Sequence, residues 1–173
     1  MTMTESSREV GVVVRRRTID NPWIDHMWSP LMVLDEVPAT TPWTVLSQDG
    51  DATMYYAGSA VIDLFSTDTA NYRDNLADGA PMIWVALRRP DGGTELELTK
   101  VTADPTEGEA MFESGTDVIG TVPMPPDIAS WIAAFVDEFH VEHTFHKRKR
   151  DRTSDDRKRE ADGGLSGGRK GSA

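Results

Sequence analysis

The sequence predicts an α+β fold: a curved, mostly antiparallel sheet of about six or seven strands, two short helices, a longer C-terminal helix and then a disordered tail. Short β-rich segments punctuated by Asn-Pro and Asp-Gly turns predict the sheet. Ile128, Trp131, Ile132, Phe135 and Phe139, spaced as one face of a helix, predict the long helix. The tail follows from composition, because beyond His146 the only sizeable apolar residue is Leu165. Closure of the sheet into a barrel is left open by the strand pattern.

Residues 1–7 read as a flexible N-terminus, and the first strand runs from about 8 to 19, where Val10, Val12 and Val14 alternate with Gly11, Val13 and Arg15. Both faces are apolar at its start, which places that end centrally in a sheet. Asp20-Asn21-Pro22 turns the chain, and Met27 to Val37 forms the return strand, with Pro30 near its start, where a strand tolerates proline best. Trp43 to Leu46 reads as a short strand, Gln48 to Asp51 as a hairpin turn, and Ala52 to Phe65 as a strand with a bulge or tight turn at Gly58. Thr67 or Asp68 caps a short helix to Ala77, which Gly79 stops.

Met82 to Arg89 and Thr94 to Val101 flank Asp91-Gly92-Gly93, the best hairpin signal in the chain. The first of these strands is apolar on both faces; the second alternates Leu96 and Leu98 with Glu95 and Glu97 and belongs nearer an edge. Asp104-Pro105-Thr106-Glu107 combines a capping acid, a proline at the first helical position and a glutamate three residues after the cap, predicting a helix to about Ser114 that Gly115 ends. Val118 to Val122 supplies a last short strand, and the long helix starts near Pro125-Pro126-Asp127.

Charge divides the chain sharply. Of the 18 Lys/Arg and 29 Asp/Glu residues, ten and five lie in 146–173, so this end carries +5 and residues 1–145 carry -16. The organisation expected is one globular domain over 8–146 and a basic, Gly-rich tail over 147–173. A body this acidic repels nucleic acid over a Debye length of about 10 Å at 0.1 M salt, so nucleic-acid binding is confined to the tail as a third choice. No apolar run approaches the roughly 20 residues of a membrane span. Cysteine is absent, which excludes disulfides, thiolate metal sites and sulfur relays; with no export signal recognised at the N-terminus, a cytoplasmic location is expected.

The densest polar and aromatic cluster follows the arginine triplet: Arg15, Arg16 and Arg17, then Asn21, Pro22, Trp23, Asp25, His26 and Trp28. Tryptophan beside arginine is the composition of interface anchors, so this turn is a candidate partner surface, with Lys147, Arg148, Lys149, Arg150 and Arg152 as a second basic element. An acid-base pair of Asp25 and His26 is disfavoured because neighbours on a strand point to opposite faces. His140, His143 and His146 recur at spacing three, of which His143 and His146 could share an ion as a secondary metal-binding alternative. No phosphate loop, nucleophile elbow or paired zinc motif occurs, and no cofactor is expected.

Val10 to Arg17, Ile19-Asp20-Asn21-Pro22-Trp23 with Asp25-His26 and Trp28, Pro123-Met124-Pro125, Trp131, Phe135-Val136-Asp137 and the basic stretch Lys147 to Arg152 together resemble a family of small proteobacterial proteins known as a domain of unknown function. The resemblance covers roughly residues 8–152. It implies gene neighbourhoods of molybdenum-dependent formate dehydrogenases and their maturation factors, and hence a non-catalytic accessory role with a molybdoenzyme subunit or maturation factor as the protein partner. It carries over no catalytic residues. The alternative reading is a small enzyme or a metal- or ligand-binding protein using Asp25 and His26 or the late histidines.

Overall fold

A computed structural model of the chain describes residues 5–90, 96–113 and 118–141. All of them belong to the first of two units, Met1–Val141; the second, Glu142–Ala173, lies outside the described residues, as do the Asp91-Gly92-Gly93 turn and Gly115.

The strands are β1 (Glu5–Thr18), β2 (His26–Leu34), β3 (Thr44–Asp49), β4 (Ala52–Phe65), β5 (Met82–Arg88), β6 (Glu97–Thr102) and β7 (Val118–Pro123). The helices are α1 (Thr69–Ala77), entered through a 3-10 turn at Ser66–Asp68, α2 (Pro105–Glu113) and α3 (Pro126–Phe139). The expected two short helices and one longer helix are therefore present, and all strand pairs are antiparallel. The expected single sheet is instead two, ordered β2-β1-β4-β3 and β6-β5-β7, and they do not close into a barrel. Pairing partners explain the correction: β1 pairs with β4, and β5 with β7, across long stretches of intervening chain, which strand periodicity does not encode.

Several boundaries also shift. β1 begins at Glu5, because Glu5, Ser6 and Ser7 pair with Phe65, Leu64 and Asp63, so these three residues are strand rather than the flexible start expected. β2 ends at Leu34, and Trp43 drops out of β3 because its φ is 69°, a left-handed conformation no strand residue adopts. The irregularity at Gly58 is a β-bulge: Val12 pairs with Gly58 and Val13 with Tyr56, leaving Ala57 as the extra residue, and Gly58 takes a φ of +121° suited to glycine.

β1 and β5 are the buried centres of their sheets. Val10, Val12, Val14, Ile83, Val85 and Leu87 are fully buried and join one core with Ile62, Leu64, Ile128 and Ile132. β7 packs against β2 and β6 against β4. Helix α3 lays the predicted stripe on this core, although Trp131 and Phe139 sit at its margin and Val136 takes a buried place beside Phe135. α1 packs on α3 through Tyr72, whose ring lies 6.3 Å edge-on from Phe135, and burial pushes its hydroxyl up to about 12 while that oxygen accepts the Phe65 N–H. α2 lies directly on the indole of Trp84 at Gly108, where any side chain would overlap the ring.

Asp68 stands at the N-terminal cap of α1 but makes no side-chain cap hydrogen bond, whereas α2 is capped as the sequence implies, with one difference. Asp104 accepts the Thr106 N–H at 2.9 Å, as a capping acid should. Glu107 does not reach back to the cap directly; it accepts from Thr102 Oγ1, which in turn accepts the Asp104 N–H, and it pairs with Lys100. Asn75 uses its whole amide to tie α1 to the second sheet, donating to the Met82 and Ala103 carbonyls and accepting the Met82 N–H.

Candidate functional site

Side chains alternate along β1, so Arg16 follows Val10, Val12 and Val14 on the core-facing side while Arg15 and Arg17 point to the opposite face. Register places Trp28 directly across from Arg16 on β2. The Arg16 guanidinium lies over two rings, 5.7 Å from the Trp28 centroid and 5.3 Å from that of Tyr55 on β4. Trp43 completes an aromatic cluster, 5.8 Å edge-on to Trp28 and 6.3 Å from Tyr55. Its left-handed backbone is uncommon for so large a residue, and the Trp43 N–H donates to the carbonyl of Tyr56 to secure it.

On the other face, Arg15 stands between Ser29 and Met54, and Arg17 between Met27 and Ala52. None of the three arginines forms an ion pair among the described residues, and Arg15 Nε is shielded from water with no acceptor. The connection from β1 to β2 is exposed from Asp20 to Met27 and presents Trp23 with 89% of its surface free, flanked by Ile24 and Met27. This turn is ordered from within: Asn21 Oδ1 accepts the Trp23 N–H at 2.8 Å, and the Ile19 N–H donates to the Asp25 carbonyl.

The structure thus brings together Arg15, Arg16, Arg17, Asn21, Pro22, Trp23, Asp25, His26 and Trp28 at one end of the four-stranded sheet. No hydrogen bond joins Asp25 to His26; both are exposed, and His26 pairs through its backbone with Thr18. Lys147, Arg148, Lys149, Arg150, Arg152, His143 and His146 lie outside the described residues. His140 sits at the end of α3 with its ring nitrogens 3.0 Å from Thr69 Oγ1 and 3.1 Å from Arg73. Among the described residues no group of three or more His, Asp or Glu side chains is arranged to hold a metal ion.

Sequence reasoning missed Tyr55 and Trp43. Finding them requires the pairing of β1 with β4, which sets Tyr55 beside Val14 and Arg16, and the backbone turn that swings Trp43 in from outside β3. A second concavity, an open groove of about 510 Å³ lined by Asp74, Asp78, Met82, Trp84 and Pro105, lies between α1, β5 and the start of α2. No helix among the described residues is long and apolar enough to cross a membrane.

Neither the curated proteins nor the solved structures contain a match to this chain. One family profile does match, over residues 9–149, a span that includes β1 from its fifth residue on, every other described strand and helix, and the arginine-tryptophan end. The chain therefore belongs to the DUF3305 family, described as proteins of unknown function.

Proposed function

We propose that the protein is a non-catalytic accessory protein that binds a protein partner through the β1–β2 end of its larger sheet, with Trp23 as the anchor. The observation that carries this reading is the exposure of Trp23 in a turn that its neighbour Asn21 orders. An indole left in water on an ordered support has its conformational cost already met, so a partner pocket gains most of its burial. Three arginines without acidic partners among the described residues supply the charged part of the surface. The family resemblance supports the finer statement that the partner is a subunit of a molybdenum-dependent formate dehydrogenase or one of its maturation factors in a proteobacterial cytoplasm. Lacking cysteine, the chain would act there by binding rather than by passing sulfur.

Affinity purification of the tagged full chain from its native host under formate-oxidising growth, read by mass spectrometry, tests this. Recovery of a dehydrogenase subunit or maturation factor is expected, with a loss of about 30-fold in affinity for Trp23→Ala, the scale of an interface hot spot. Unchanged recovery in Trp23→Ala combined with Arg15→Ala, Arg16→Ala and Arg17→Ala would sink the surface. Absence of any such partner from cells that contain the dehydrogenase would sink the assembly role.

A further inference from the structure

Resting on that reading, we propose that this end of the sheet recognises a carboxylate side chain set beside apolar residues in the partner, and that Arg16 is its receptor. The Arg16 guanidinium, a planar group, lies over the Trp28 and Tyr55 rings at cation–π distance. Its N–H donors radiate within that plane, and none has an acceptor among the described residues. A guanidinium is a planar fork, so pairing with a carboxylate by two parallel charge-assisted hydrogen bonds is the strongest interaction it can make.

Arg15, on the opposite face of β1, also lacks an acceptor. Its Nε is cut off from water and has no acceptor, in a chain with 29 acidic residues against 18 basic ones. Burying a donor unpaired is unfavourable, and a carboxylate that draws the side chain outward relieves that cost. Two other cations do have acidic partners, Arg8 with Asp35 and Lys100 with Glu107, while Arg88 and Arg89 have none among the described residues. Beside Arg16 the neighbours are the aromatic rings of Trp28 and Tyr55, on the opposite face Met27 stands across from Arg17 and Met54 across from Arg15, and in the turn beyond the strands Trp23 and Ile24 are exposed.

The occupant this fits is a protein segment bringing one or two Asp or Glu residues between aliphatic or aromatic ones. A nucleic acid fits poorly, because it sets a charge every 1.7 Å or so along a body carrying -16 over residues 1–145. Methionine at such a surface adapts to apolar side chains of different shape.

A random-peptide phage library panned on the full chain tests the proposal, followed by fluorescence anisotropy with synthetic versions of the enriched peptides. Enriched peptides are expected to combine Asp or Glu with aliphatic or aromatic residues. Replacing those acids by Asn or Gln should weaken binding about tenfold or more, as should Arg16→Gln, while Arg16→Lys keeps the charge yet loses the fork and should also bind more weakly. Arg73→Gln, on α1 beside His140 at the end of α3, should leave affinity unchanged, and circular dichroism with urea midpoints establishes that each variant is folded.

Equal affinity of the amide peptides, equal binding by both Arg16 variants, enrichment without acidic residues, or no enrichment overturns the carboxylate receptor. Loss of binding in Trp23→Ala with none in Arg16→Gln leaves the docking surface standing and rejects only this inference. No loss in either variant rejects the surface itself. A single-stranded DNA oligonucleotide is the remaining arm: tight binding to it that Arg16→Gln removes would assign the arginine to phosphate and overturn the proposal.

Discussion

Two arginines on β1, eight residues apart and on the same core-facing side, lie over tryptophan rings at nearly the same distance: Arg8 at 5.9 Å from Trp131 and Arg16 at 5.7 Å from Trp28. At the Arg8 end the arrangement is complete. Asp35 pairs with the guanidinium, Trp131 donates its indole N–H to Ser6 Oγ at 3.2 Å, and α3 lies over the sheet. At the Arg16 end the aromatic support is richer, yet among the described residues no carboxylate pairs with the guanidinium. The difference separates a stabilising arrangement from an open one built of the same residue types. It teaches that an arginine stacked on tryptophan is ambiguous by itself; the presence or absence of its acid decides the reading.

The largest effect should come from breaking the covered end. Phe135 is buried between Tyr72 and Phe139, with ring centroids at 6.3 and 4.8 Å, and it joins α1 and α3 to the core. Phe135→Ala should cost about 3–5 kcal/mol of stability, measured by urea denaturation. Trp23→Ala at the open end removes a larger side chain but should move stability by no more than about 0.5 kcal/mol, because water already surrounds it. Equal losses for the two variants would show that Trp23 packs against the fold, and the contrast between the ends would collapse.

A smaller change tests the acid itself. Asp35→Ala leaves Arg8 with only Trp131, which converts the covered end into the chemistry of the open one. Both side chains of the pair are partly exposed, so a loss of about 1 kcal/mol is expected, reduced in high salt. Peptide binding at the Arg16 end should not change. A loss of binding would mean that the two ends are coupled through β1.

How far this contrast was legible in the sequence differs from one end to the other. The stripe on α3, the apolar faces of β5, the cap at Asp104 and the bulge at Gly58 all follow from local pattern, because spacing, capping and backbone freedom act over a few residues. The arginine-tryptophan segment was also legible as a cluster, since its residues are near neighbours in the chain. What lay beyond reach was long-range: that the strands divide into two sheets, that Tyr55 reaches Arg16, and that Asp35 pairs with Arg8 while no acid among the described residues pairs with Arg16. Each of those depends on which strands pair and in what register. Alternation gives a strand its two faces without naming its neighbour.

The smallest expected effect inverts the imbalance at the open end, because near α1 the acids crowd one another. Burial, followed by the nearby charges of Asp104 and then Glu107, raises the Asp68 carboxyl above its ordinary range. Within the window between the ordinary and the raised value, the folded chain keeps a proton that the unfolded chain has lost, so stability falls as pH climbs through it and the cost persists at neutrality. Asp68→Asn removes that cost. Scanning calorimetry should show a Tm higher by about 1 °C at neutral pH, with the difference vanishing below the ordinary carboxylate range. Asp68 also sits at the start of α1, where a negative charge favours the helix dipole but makes no side-chain cap hydrogen bond. A lower Tm for the variant at neutral pH would therefore show that the dipole outweighs acid crowding, and that a carboxylate without a cationic partner is tolerated at this end for a reason with no counterpart among the arginines of β1.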